Sequence, residues 1–155
     1  MATPTRNYEQ ASADQSLSRR EEMAVSGSVL SDAPWGLAAG AGVAVAGGDM
    51  MLHLLGWHLT IAGPLALGAV AFFGVAGGGA LLRPQASRAL RWAQRNSWRF
   101  AAVPGVACAM VVFILSMIDG GHLLGSLFTG LWHGAAAYGL TGLVGSVGRP
   151  RRARS

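Results

Sequence analysis

Long apolar runs, broken at short polar points, set the character of this chain. From residue 33 to residue 82 a single formal charge, Asp49, stands among apolar and small side chains. Such a stretch has no place in a soluble core, and it is long enough for two membrane helices of about 20 residues each. A second pair of apolar runs follows the basic segment 83–99. The pattern predicts an all-α integral membrane protein with four transmembrane helices as two hairpins. The helices are expected at about 34–55, 59–82, 100–118 and 122–148, inside a membrane domain covering 33–148. Pro34 suits a first helical turn, with Asp32 upstream as a cap. Pro64 and Pro104 fall in early turns, where a missing N–H costs little. Gly56-Trp57-His58 and Asp119-Gly120-Gly121 read as tight turns at the water interface.

The turns carry a repeated phrase. Asp49-Met50-Met51-Leu52-His53-Leu54-Leu55-Gly56 reads against Asp119-Gly120-Gly121-His122-Leu123-Leu124-Gly125. Each following apolar run closes on Arg-Pro, at Arg83-Pro84 and Arg149-Pro150. One membrane hairpin written twice would give this pattern, as a parallel repeat about an axis along the membrane normal.

Charge orients the spans. Of the 155 residues 52% are hydrophobic and 12% are charged, against about 25% charged in soluble domains. The basic residues number 12 and all are Arg, which with the abundant Ala and Gly points to a GC-rich, bacterial genome. Residues 83–99 hold Arg83, Arg88, Arg91, Arg95 and Arg99 with no acid, and the tail 149–155 holds Arg149, Arg151, Arg152 and Arg154. Positively charged loops stay in the cytoplasm. Both termini and the central loop are thus expected inside a bacterial inner membrane, with the Asp/His turns outside. Residues 1–32 carry mixed charge without apolar periodicity and no secretory signal. They are expected to form a disordered cytoplasmic tail, with room for a short helix near Ser18–Val25.

Small residues mark helix-packing faces. Gly36, Gly40, Ala44 and Gly48 recur every fourth position in the first helix, Gly74 and Gly78 in the second, and Gly130 and Gly134 in the fourth. In lipid, small residues let helix backbones approach. Trp35 and Trp57 read as interface anchors, and the deeper Trp132 as a packing residue. Segment 83–99 can be drawn as an amphipathic helix. Arg88, Arg91, Arg95 and Arg99 fall on one side, and Leu82, Ala86, Leu90, Ala93 and Phe100 on the other, with Trp92 and Trp98 flanking. It would lie at the inner interface with its arginines on anionic lipid phosphates. Arg with aromatic side chains also fits nucleic acid, a sharper reading shared by the basic tail.

All four histidines, His53, His58, His122 and His133, lie in or beside the apolar runs. On a helical wheel Asp119, His122, Ser126, Thr129 and His133 share a sector of about 80°. His133 lies roughly 16 Å deeper than His122 along a helix. A polar group at that depth needs a hydrogen-bond partner or water. Three readings are open: hydrated interfacial residues, a proton- or ion-conducting stripe, or a metal or haem site built from Asp49, His53, His58, Asp119 and His122. Cys108 stands alone in an apolar run and reads as a small packing residue.

No nucleotide-binding loop, Ser/His/Asp order or zincin pattern is present, so a conventional enzyme is not expected. In size, span number and basic tail the chain resembles phage holins and the small membrane proteins that accompany plasmid transfer. That resemblance is one of layout and transfers no functional residue. It implies a protein that works by assembly, as a homo-oligomer or as the membrane subunit of a larger complex.

Overall fold

The structure, a computed structural model, describes residues 19–56, 61–83 and 88–147. These form six helices and no strand: α1 (Arg19–Ser31), α2 (Trp35–Leu55), α3 (Ala62–Leu81), α4 (Arg88–Arg95), α5 (Ser97–Ile118) and α6 (Leu123–Val147). Three of them, α2, α3 and α5, are long and apolar enough to cross a membrane. The 25 residues of α6 also suffice in length, but Ser126, Thr129, Trp132, His133, Tyr138, Thr141 and Ser146 dilute its apolar character.

The core is the three-helix unit α3, α5 and α6. Half of the apolar stretch of α3 (50%) is buried within the protein, against 6% for α2. The helices α5 and α6 run antiparallel and very close. A Cβ added at Gly134 would lie 2.7 Å from the Gly105 carbonyl oxygen and 2.6 Å from the Ala109 Cβ. One at Gly130 would lie 2.7 Å from the Ala109 carbonyl oxygen. Any side chain there would therefore force the backbones apart. The three helices meet at Gly77, where an added Cβ would press on both Thr141 and Pro104. Gly74 and Gly78 of α3 seat Leu140 and Val144 of α6, and Gly142 leaves room for the Trp98 ring, which also packs on Tyr138.

Among the described residues, the helix α2 packs closely only on α3. Its contact stripe is Ala38, Gly42 and Ala46, with Gly42 and Gly68 facing each other backbone to backbone. A Cβ added at Gly36, Gly40 or Gly48 would instead meet nothing within 4 Å, so the packing expected of that stripe is not made among the described residues. Leu37 and Val43 beside it are more than 70% exposed, at 72% and 73%.

Helix boundaries fall close to expectation, with instructive departures. Residues 19–31 are helical rather than part of a disordered tail, because α1 finds a partner: Ser26, Val29 and Ala33 are buried, and Val29 and Ala33 join Leu90, Ala93 and Phe100 in one cluster. Residues 1–18 and the basic tail 149–155 lie outside the described residues. Asp32 makes no cap; Pro34 itself occupies the N-cap of α2 and its ring fills the notch at Gly79. Because α5 starts at Ser97, Pro104 sits inside the helix, and its missing N–H leaves the Phe100 carbonyl without an intrahelical donor. Trp132 is 67% exposed and points out of the bundle, since the inward positions of α6 are taken by Ser126, Gly130, Gly134 and Ala137.

Overpacking tests this architecture. Gly134→Val should destabilise the protein by about 1–3 kcal/mol, as inserted methyl groups do in a filled site. Gly139→Val, at a position where an added Cβ meets nothing, should cost much less. Unfolding by denaturing detergent, followed by circular dichroism, compares the two.

Candidate functional site

The polar residues singled out in the sequence separate into three places. At the end of the bundle opposite α4, α5 stops at Asp119 in a two-bond C-terminal cap. The Gly121 N–H donates to the Ser116 carbonyl (3.0 Å) and the Gly120 N–H to the Met117 carbonyl (3.3 Å). Gly120 takes φ +84°, a left-handed conformation that glycine tolerates and most residues do not. This turn removes Asp119 and His122 from the stripe drawn on α6. Asp119 ends α5, and His122 precedes α6, its carbonyl accepting from the Ser126 N–H at 2.8 Å. Both side chains are exposed.

On α6 proper, Ser126 is fully buried against α5 and its hydroxyl accepts a 3.0 Å hydrogen bond from Ser116. Thr129 and His133 flank that contact and are half-buried. The His133 Nδ1–H donates to the Thr129 carbonyl at 2.8 Å, one turn back on the same helix. The Cys108 thiol points at the His133 carbonyl, with sulfur and oxygen 3.8 Å apart. Ser116 was missed from sequence; its pairing depends on the antiparallel register of α5 and α6, which no local pattern displays.

On α2, Asp49 and His53 are paired as their spacing suggests. The imidazole Nδ1–H donates to the Asp49 carbonyl at 2.9 Å and lies 3.4 Å from the Asp49 carboxylate. Both apolar-helix histidines thus use the same device: one ring nitrogen is satisfied by the carbonyl four residues back, and Nε2 remains for another partner. The metal reading requires ligands to converge, and among the described residues no three His, Cys, Asp or Glu side chains do so. His58 lies outside the described residues.

The third place is the arginine-bearing end. Helix α4 presents Arg88, Arg91 and Arg95 outward, while Leu90 and Ala93 on its other side are buried. The amphipathic pattern is thus real, but its apolar face is spent on α1 and the bundle rather than on lipid. Gln94 donates to the Leu81 carbonyl (2.8 Å), closing the end of α3. Asn96 separates α4 from α5 and its side chain donates to the Trp92 carbonyl at 3.2 Å. Arg99, the fourth of the expected row, turns to Glu22 of α1 at 2.9 Å.

No protein-family model matches the chain, and no curated protein or solved structure matches it either.

A double-mutant cycle on Ser116→Ala and Ser126→Ala should return a coupling near 0.6 kcal/mol, and under about 1.7, as for interhelical hydrogen bonds in lipid. Unfolding of the four proteins in mixed micelles measures it.

Proposed function

We propose that this chain is a small polytopic protein of a bacterial inner membrane that acts by assembly, as a homo-oligomer or as the membrane subunit of a larger complex of pore, holin-like or transfer-accessory type. In this reading α6 crosses as a fourth span, the two hairpins descend from one repeated unit, and both termini face the cytoplasm. The arginines of α4 support that orientation.

One observation carries the proposal. The glycines of α3, α5 and α6 that lie at helix contacts are filled by neighbours from this chain, whereas Gly36, Gly40 and Gly48 of α2 offer the same close approach with no helix among the described residues to meet it. Lipid tails are as apolar as the helices, so association in the membrane rests on close van der Waals contact, and a smooth small-residue face is what permits it. A helix held to its own chain along one edge is suited to hold another along the opposite edge.

The test is the size of the assembly. The protein should run in mild detergent as more than one copy or with a co-purifying partner, and an Ala44→Cys variant in a Cys108→Ala background should cross-link in membranes. Gly40→Ile should reduce the assembly to single chains without lowering the unfolding midpoint, because its Cβ meets nothing among the described residues. A chain that is solitary in both membranes and detergent would sink the assembly reading.

A further inference from the structure

We infer that the outward face of α4 is a seat for the phosphate groups of anionic phospholipids, built on Arg88 and Arg91, and that Glu22 of α1 holds the neighbouring Arg99 away from it. The inference rests on the membrane reading above.

Four observations support it. First, α4 joins the end of α3 to the start of α5, both apolar enough to span a membrane, so chain connectivity keeps it at the boundary between hydrocarbon and water. Second, it cannot roll its charges away. Leu90 and Ala93 are 8% and 0% exposed, locked in a cluster with Val29, Ala33 and Phe100, and Gln94 ties α4 to the end of α3. Third, Arg88 and Arg91 stand one turn apart on an eight-residue helix that contains no acid. Like charges at this spacing oppose helix formation unless an anion lies between them. Among the described residues, Arg88 and Arg91 have no ion-pair partner. Fourth, the protein supplies a carboxylate of its own to the neighbouring Arg99, which Glu22 meets at 2.9 Å. The same guanidinium chemistry at Arg88 and Arg91 faces outward.

A guanidinium presents paired N–H donors that match two phosphate oxygens. The anionic phosphates of the cytoplasmic leaflet lie at the level where α4 is held, and their surface potential draws arginine toward them. The proposed ligand is therefore the phosphodiester of an anionic lipid, not a free phosphate ion.

The full-length protein in mild detergent is titrated with phosphatidylglycerol, phosphatidylcholine or glycerophosphate, and bound molecules are counted by native mass spectrometry. Phosphatidylglycerol should bind at a concentration on the order of thirtyfold lower than phosphatidylcholine, the sum expected of two arginines. Arg88→Gln with Arg91→Gln should erase that preference while leaving the helical circular dichroism unchanged. Glu22→Gln should increase it, because Arg99 is released to the same surface; a merely structural role for the arginines predicts no such gain. Equal binding of the two lipids, an unaltered preference in the double variant, or equal binding of glycerophosphate would each overturn the inference. Carbonate extraction separates the failures. A chain released from membranes by carbonate loses the membrane reading and this one together, whereas a retained chain indifferent to headgroup charge loses only the lipid seat.

Discussion

Backbone-to-backbone approach between helices is the contact on which the rest of this structure depends. Where the surroundings are hydrocarbon, burying an apolar side chain gains little, and helices associate through the number of atoms they bring within van der Waals range. Gly105 with Gly134, and Gly42 with Gly68, set that range for α5–α6 and for α2–α3. Once α5 and α6 are that close, Ser116 reaches Ser126, the Cys108 thiol faces the His133 carbonyl, and the Trp98 ring lies over Gly142. The central position of α3 follows in turn, since Gly77 is where Thr141 and Pro104 converge on it.

Polar groups inside the apolar helices face a second constraint, that an unpaired donor or acceptor in hydrocarbon costs several kcal/mol; most are paired, while the buried Ser97 and Thr141 hydroxyls have no hydrogen-bond partner among the described residues. The two described histidines within helices solve it locally, each bonding the carbonyl four residues back, so neither depends on a partner helix. Ser116 and Ser126 solve it across helices, and Ser146 on its own helix through the Leu143 carbonyl. These two solutions explain why the polar positions of α6 do not form one continuous line: Ser126 is drawn into the α5 interface, while His133 is held by its own helix.

The arginine-bearing end is organised differently, by ordinary apolar burial. Val29, Ala33, Leu90, Ala93 and Phe100 form a small core that gathers α1, α4 and the start of α5 into a cap over the bundle. The Glu22–Arg99 pair at its rim is partly exposed, and such pairs contribute about 0–1 kcal/mol. It selects the seating of α1 more than it strengthens it.

The helical segments were legible in the sequence because hydropathy and turn chemistry are properties of neighbours along the chain. The apolar stretches, the Asp119-Gly120-Gly121 stop and the one-sidedness of the arginines in α4 all came from residues a few positions apart. The spacing of Asp49 and His53 predicted their pairing for the same reason. What the sequence could not decide was which faces meet. Ala38–Gly42–Ala46 and Gly36–Gly40–Gly48 are both built of small residues, and only the position of α3 makes the first an interface and leaves the second open among the described residues. The sequence left room only for a short helix near Ser18–Val25 because α1 lacks an apolar face strong enough to fold alone, and its full length is supported by α4 from far along the chain. Local composition thus determined the elements and their solvent, while the choice of partners belonged to the tertiary structure, because a helix surface has several faces and its sequence does not say which one a neighbour will fill.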